Sequence, residues 1–158
     1  MEIKKKRMSL VFIFPFILLF FLINILPIRP VITMKNGTDN DVYIYSSESL
    51  HGVEPGLDDV EKIKRKSSVV IKPGKVLKIK ASFSSLIING SEIDISWRIG
   101  GGYEYNSIGG GWRNFLLSST DGVCSVVVVI LEGYNKDSLK YDSNEYCLKK
   151  ISPFRYKY

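Results

Sequence analysis

Hydrophobic and polar positions follow two different patterns along this chain. From Met8 to Ile28 (MSLVFIFPFILLFFLINILPI) no residue is charged. These 21 residues would form a helix roughly 31 Å long at 1.5 Å per residue. A bilayer core is about 30 Å thick, so the segment is long enough to span it. Pro15 falls inside the run, and Asn24 and Pro27 mark its far boundary. A kink at Pro15 is tolerable in a membrane where neighbouring groups satisfy the freed carbonyl.

Beyond Arg29 the apolar residues recur with period two, the spacing of half-buried strands. Val31–Lys35 and Val42–Ser46 are short β-rich runs separated by NGTDND, a turn composition. Ser68–Ile71 and Val76–Ala81 flank KPGK, where Pro-Gly suits the centre of a type II turn. Leu86–Ile88 and Ser91–Ile99 flank Asn89-Gly90, which predicts a type I′ hairpin. In Ser91–Ile99 the alternation is clean: Ile93, Ile95, Trp97 and Ile99 share one face, and Glu92, Asp94, Ser96 and Arg98 the other. Val123–Leu131 is apolar on both faces and predicts a central strand covered on both sides. Glu145–Ile151 reads as the last strand, ended by Pro153. Residues 47–67 are the least regular, and Leu57–Lys66 suits either a short helix or an exposed strand. The expected fold class is all-β: an N-terminal transmembrane helix followed by a small immunoglobulin-like β-sandwich of about seven strands.

Charge sets the orientation. Lys4, Lys5, Lys6 and Arg7 precede the apolar run, and only Arg29 and Lys35 follow it closely. The positive-inside rule keeps residues 1–7 in the cytoplasm as a basic tail and exports residues 29–158. The expected location is a bacterial inner membrane, crossed once, with the domain in the periplasm or outside the cell. A cleaved signal peptide is the alternative, but its apolar core would be about 7–15 residues with an A-x-A-like site. No alanine precedes Ala81, so an uncleaved signal anchor is favoured. The formal charge is +6, but setting aside residues 1–28 leaves only +3 on the exported part. Lys62, Lys64, Arg65 and Lys66 form its densest basic run, read as a solvated face. No nucleic acid is expected as a partner. Cys124 and Cys147 lie on the exported side, where an oxidising compartment favours a disulfide between them.

The stretch WRIGGGYEYNSIGGGWR, Trp97 to Arg113, is nearly its own mirror image. It fits neither G-x-G-x-x-G nor a P-loop, because the third glycine and the G-K-[ST] ending are missing. Trp97 continues an apolar strand face and reads as core; the glycines read as bends or close backbone approach. Arg98, Tyr103, Tyr105, Trp112 and Arg113 are of the types enriched at binding hot spots. They are the candidate partner-binding residues, for a protein or a glycan.

Other chemistry is thin. His51, the single histidine, precedes Glu54, Asp58, Asp59 and Glu61 without paired-ligand spacing, so a solvated acidic loop is the better reading. Asn36, Asp39 and Asp41 suit a turn better than a calcium loop. No G-x-S-x-G elbow is present, and Cys124 falls in an expected core strand. No catalytic residue, metal or cofactor is assigned. The expected function is a non-enzymatic binding module with a protein partner in the envelope, such as a subunit of an envelope or secretion assembly. A periplasmic immunity or inhibitor protein that neutralises a toxic enzyme is the alternative. An enzyme acting on glycan or peptide has the least support.

Overall fold

The computed structural model describes residues 28–54, 56–58, 61, 67–142 and 146–154, together with 14–15 and 17–18. The tail 1–7, and the expected span 8–28 apart from residues 14–15, 17–18 and 28, lie outside the described residues. Among the described residues no helix is long and apolar enough to cross a membrane.

Two sheets make the domain a β-sandwich. Nine strands are found among the described residues, where about seven were expected. They are β1 (Val31–Asn36), β2 (Val42–Leu50), β3 (Val69–Ile71), β4 (Val76–Lys80), β5 (Ser91–Ile99), β6 (Gly109–Ser118), β7 (Ser125–Ile130), β8 (Asp137–Asp142) and β9 (Lys150–Phe154). The first sheet has the order β4-β1-β7-β8, with β1 parallel to β7. The second has the order β3-β2-β5-β6-β9 and is antiparallel throughout.

Four expectations need correction. Leu86–Ile88 is not a strand; a short helix, α1 (Phe83–Ile87), takes its place, with the side chain of Ser82 accepting from the Ser85 amide as N-cap. Asn89-Gly90 is therefore no hairpin turn. Gly90 alone has positive φ, +74°, whereas type I′ needs it at both positions. The last strand starts at Lys150 and continues through Pro153, which pairs with Phe115. It lies at a sheet edge, where proline is tolerated. Finally, β7 is central but packed on one face only: Val126, Val128 and Ile130 are buried, while Val127 and Val129 are half-buried.

The turns explain how the chain changes sheets. Asn36 ends β1 fully buried. Its amide donates to the carbonyls of Asn40 (2.7 Å) and Ile71 (2.8 Å), and its Oδ1 accepts from the amide of Thr38 (2.9 Å). One side chain thus satisfies the corner that carries the chain from the first sheet to the second. At KPGK the Lys75 amide donates to the Lys72 carbonyl (3.0 Å) and Gly74 has φ +70°, as the type II reading requires. This turn joins β3 to β4 in the other sheet.

Ile93, Ile95, Trp97 and Ile99 form the inner face of β5, each at most 1% exposed. They pack in one cluster with Ile32 and Met34 of β1 and Val126, Val128 and Ile130 of β7. The register also fixes two ends. Val31 lies beside Lys80 and Ser125, and Leu50 beside Ser91, so α1 and the start of the domain share one end. The turn after Asn36, the KPGK turn and the glycine-rich loop after Ile99 occupy the other.

Cys124 and Cys147 are joined by a disulfide, 23 residues apart in sequence with Cα atoms 5.6 Å apart. They precede β7 and β9, one strand of each sheet, where Val123 and Ile151 also exchange backbone hydrogen bonds (3.0 and 2.8 Å). In the chain-entropy model a loop of this length stabilises by roughly 3 kcal/mol. Replacing both cysteines by serine should lower the unfolding free energy by about that amount in denaturant titrations.

Candidate functional site

Glycine is a poor strand former, yet β6 opens with three: Gly109, Gly110 and Gly111. Neighbouring backbone and ring atoms explain them. Gly111 pairs with Trp97 across the sheet, and a Cβ there would sit 2.6 Å from the indole ring. A Cβ on Gly109 would meet the Gly133 carbonyl oxygen at 2.8 Å, and one on Gly110 the Trp97 carbonyl oxygen at 2.6 Å. β9 pairs only with the far half of β6, so the glycine edge is taken by the loop after β7. There the Gly110 amide donates to the Gly133 carbonyl (3.2 Å), and the Asn135 amide to the Gly110 carbonyl (2.6 Å).

Of the three glycines, Gly110 pairs with an outer-face residue, Arg98, and leaves that spot on the outer side of β6 bare. A groove of about 310 Å³ runs over it, bordered by Arg98, Glu104, Gly110, Trp112, Tyr134 and Asn135. Arg98 Nη1 donates to the Gly102 carbonyl (3.1 Å), which also accepts from the Tyr45 hydroxyl. The guanidinium lies 5.8 Å from the centre of the Tyr45 ring. Those contacts hold the glycine-rich loop against the sheet. On that loop Tyr103 and Tyr105 flank Glu104 and stack, with centroids 5.5 Å apart and planes 8° from parallel. They are 63% and 86% exposed.

Four of the five candidate binding residues therefore gather at one end of the domain. Arg98 and Trp112 border the groove, and Tyr103 and Tyr105 sit on its closing loop. Arg113 faces the other way. It pairs with Ile95, on the inner face, and its Nη2 lies 2.6 Å from Asp137 Oδ2 on β8 of the opposite sheet. The Asp137 side chain is fully buried and that of Arg113 only 15% exposed, so the pair bridges the sheets inside the sandwich. Glu104, Tyr134 and Asn135 were not among the candidates. Positive φ at Gly133 (+104°) and Asn135 (+53°) marks a turn, but nothing in the sequence shows that it docks on Gly110.

A second constellation lies on the same sheet. Ser49 Oγ is 2.6 Å from Asp94 Oδ2 and 3.1 Å from Glu92 Oε1. His51 Nδ1 is 2.8 Å from Glu92 Oε2, and Asn114 donates to Asp94. A hydroxyl has one proton, so Ser49 cannot donate to both carboxylates at once. Burial raises the Asp94 pKa above its ordinary value, and the charge of Glu92 adds to this; the hydrogen bonds from Ser49 and Asn114 oppose it. A cavity of about 440 Å³ lies against this part of the sheet, with Asp94, Trp112 and Asn114 among its lining. Of the residues weighed for metal or catalysis, Glu54 and Asp58 are exposed, and Asn36 is taken up by its corner.

No protein-family model matches the chain, and no curated protein resembles it closely enough to count as a relative.

Two outcomes follow from the charges. Asp137→Ala strands the Arg113 guanidinium in the interior and should cost about 3–5 kcal/mol of stability by urea titration. Asp94 has the opposite sign from a salt-bridged carboxylate. Its unfolded form titrates near 3.8, while the folded form holds its proton to higher pH. Stability from this group is thus greatest below that value and falls as pH rises through the raised one. Asp94→Asn should flatten the fall, read as urea midpoints at about pH 4 and about pH 6.

Proposed function

We propose that this chain is a single-pass membrane protein whose immunoglobulin-like domain acts outside the cytoplasm as a non-enzymatic recognition module. Residues 8–28 anchor it in a bacterial inner membrane, with residues 1–7 in the cytoplasm. The groove over Gly110 is the recognition surface, and its partner is a protein of the envelope.

One observation carries this reading: a groove over Gly110 rimmed by Trp112, Arg98 and Tyr134, with two stacked, exposed tyrosines on the adjoining loop. Trp, Tyr and Arg dominate binding hot spots because they present large, semi-rigid contact area with a polar handle. The groove lies at the end of the sandwich opposite Ile28, where the apolar segment ends. An anchored domain of this kind would therefore point its recognition surface away from the bilayer. Tethering also raises the local concentration of that surface against other membrane components.

The test is a pull-down from envelope membranes with the detergent-solubilised full chain, comparing wild type with Trp112→Ala/Tyr105→Ala. Both positions are partly or largely exposed, so the double variant should fold. Its recovery of the partner should fall at least about tenfold, which corresponds to 1.4 kcal/mol. Equal recovery would overturn the groove as the binding surface. Recovery of a single tightly held enzyme would turn the reading to an inhibitor or immunity protein.

A further inference from the structure

At the other end of the domain α1 is amphipathic in an unusual sense. Leu86 and Ser85 are buried, while Phe83 and Ile87, four residues apart and hence on one helix face, are 49% and 81% exposed. Ile88 follows at 48%. The helix is fixed in this pose: Glu48 accepts from the Ser82 amide (2.7 Å) and the Ser85 hydroxyl (2.6 Å). Lys149 Nζ donates to the carbonyls of Ser85 (3.3 Å) and Ile88. Next to Lys149, Leu148 is 56% exposed.

This apolar patch surrounds the point where the chain arrives from its uncharged segment. The Ile28 carbonyl accepts from the Leu148 amide (3.0 Å), and the Arg29 guanidinium lies 4.8 Å from the centre of the Phe83 ring. Single exposed apolar residues are ordinary, but a group of them gathered around one spot calls for a partner. The 21-residue apolar run ends within it, and a cation sits at its rim.

We infer that Phe83, Ile87, Ile88 and Leu148 dip into the lipid interface, so that the domain sits on the bilayer surface instead of swinging from its anchor. Apolar side chains gain by leaving water for the headgroup–acyl boundary, and Arg29 meets anionic headgroups there. Seating by this patch fixes the tilt of the domain and holds the groove facing outward. The inference rests on the anchor reading of residues 8–28, and the experiment separates the two.

The full chain is reconstituted in vesicles of phosphatidylcholine and phosphatidylglycerol brominated near the headgroup end of the acyl chains. Ile87→Trp and Tyr105→Trp serve as reporters at opposite ends, with wild-type emission subtracted. Added fluorescence at position 87 should be quenched at least about twofold and that at 105 left unchanged, as interfacial burial of one end requires. An alkaline carbonate wash reads the anchor independently. Quenching at 87 in a chain that the wash releases would uphold the lipid contact and overturn the anchor. Position 87 as unquenched as 105 would overturn the inference whatever the wash shows. Blue-shifted but unquenched emission at 87 would also overturn it, placing protein over the patch instead of lipid.

Discussion

The indole of Trp97 occupies the space that a side chain at position 111 would need, and much of the molecule follows from that contact. A buried tryptophan removes about 150–250 Å² from water, worth roughly 4–6 kcal/mol at 25 cal/mol per Å². Among the described residues its Nε1 has no hydrogen-bond partner, a cost of about 1–3 kcal/mol. Burial therefore wins, provided the facing strand carries glycine. Next to Gly111, Gly110 pairs with Arg98 on the outer face, and its backbone admits the loop after β7 to the edge of β6. The glycine run thus serves the core at Gly109 and Gly111 and the groove at Gly110.

Legibility in the sequence tracks how local each signal is. Ser91–Ile99 could be read residue by residue, because alternation is a property of the strand alone. The Asn36 and KPGK turns were legible for the same reason, and so was the Cys124–Cys147 pairing, because two cysteines leave each a single possible partner. Elements defined by their partners were not. Gly109–Gly111 looks like a bend until Trp97 is placed over it. Asp137–Asp142 (DSLKYD) is too polar to announce a strand, and its inward Asp137 is intelligible only beside Arg113. Asn89-Gly90 suggested a hairpin with Leu86–Ile88 as one strand, but the Ser82 cap and Glu48 decided for helix. At the candidate site, the residue types singled out a stretch of which four candidates lie together at one end of the domain, but facing was not readable. Trp112 and Arg113 are adjacent and necessarily point to opposite sides of β6, and only the pairing of Arg113 with Ile95 says which is which.

Buried charge sits on both sides of this sheet and is handled differently on each. Inside, Arg113 and Asp137 neutralise one another across the two sheets. Such a pair adds little net stability after desolvation but penalises any slip of one sheet against the other. Outside, Ser49 lies within hydrogen-bond reach of both Asp94 and Glu92 and can donate to only one of them, and burial pushes Asp94 towards its neutral form. The inner pair specifies register, whereas the outer group is tuned by pH.

The placement of β1 has a mechanical consequence. It is the first strand after Ile28, and it is hydrogen-bonded on both sides, antiparallel to β4 and parallel to β7. Traction applied to the chain at Ile28 would act along this strand. Its bonds to both neighbours are then sheared together and cannot be unzipped one at a time. A domain threaded in this way resists unravelling from its N-terminal end.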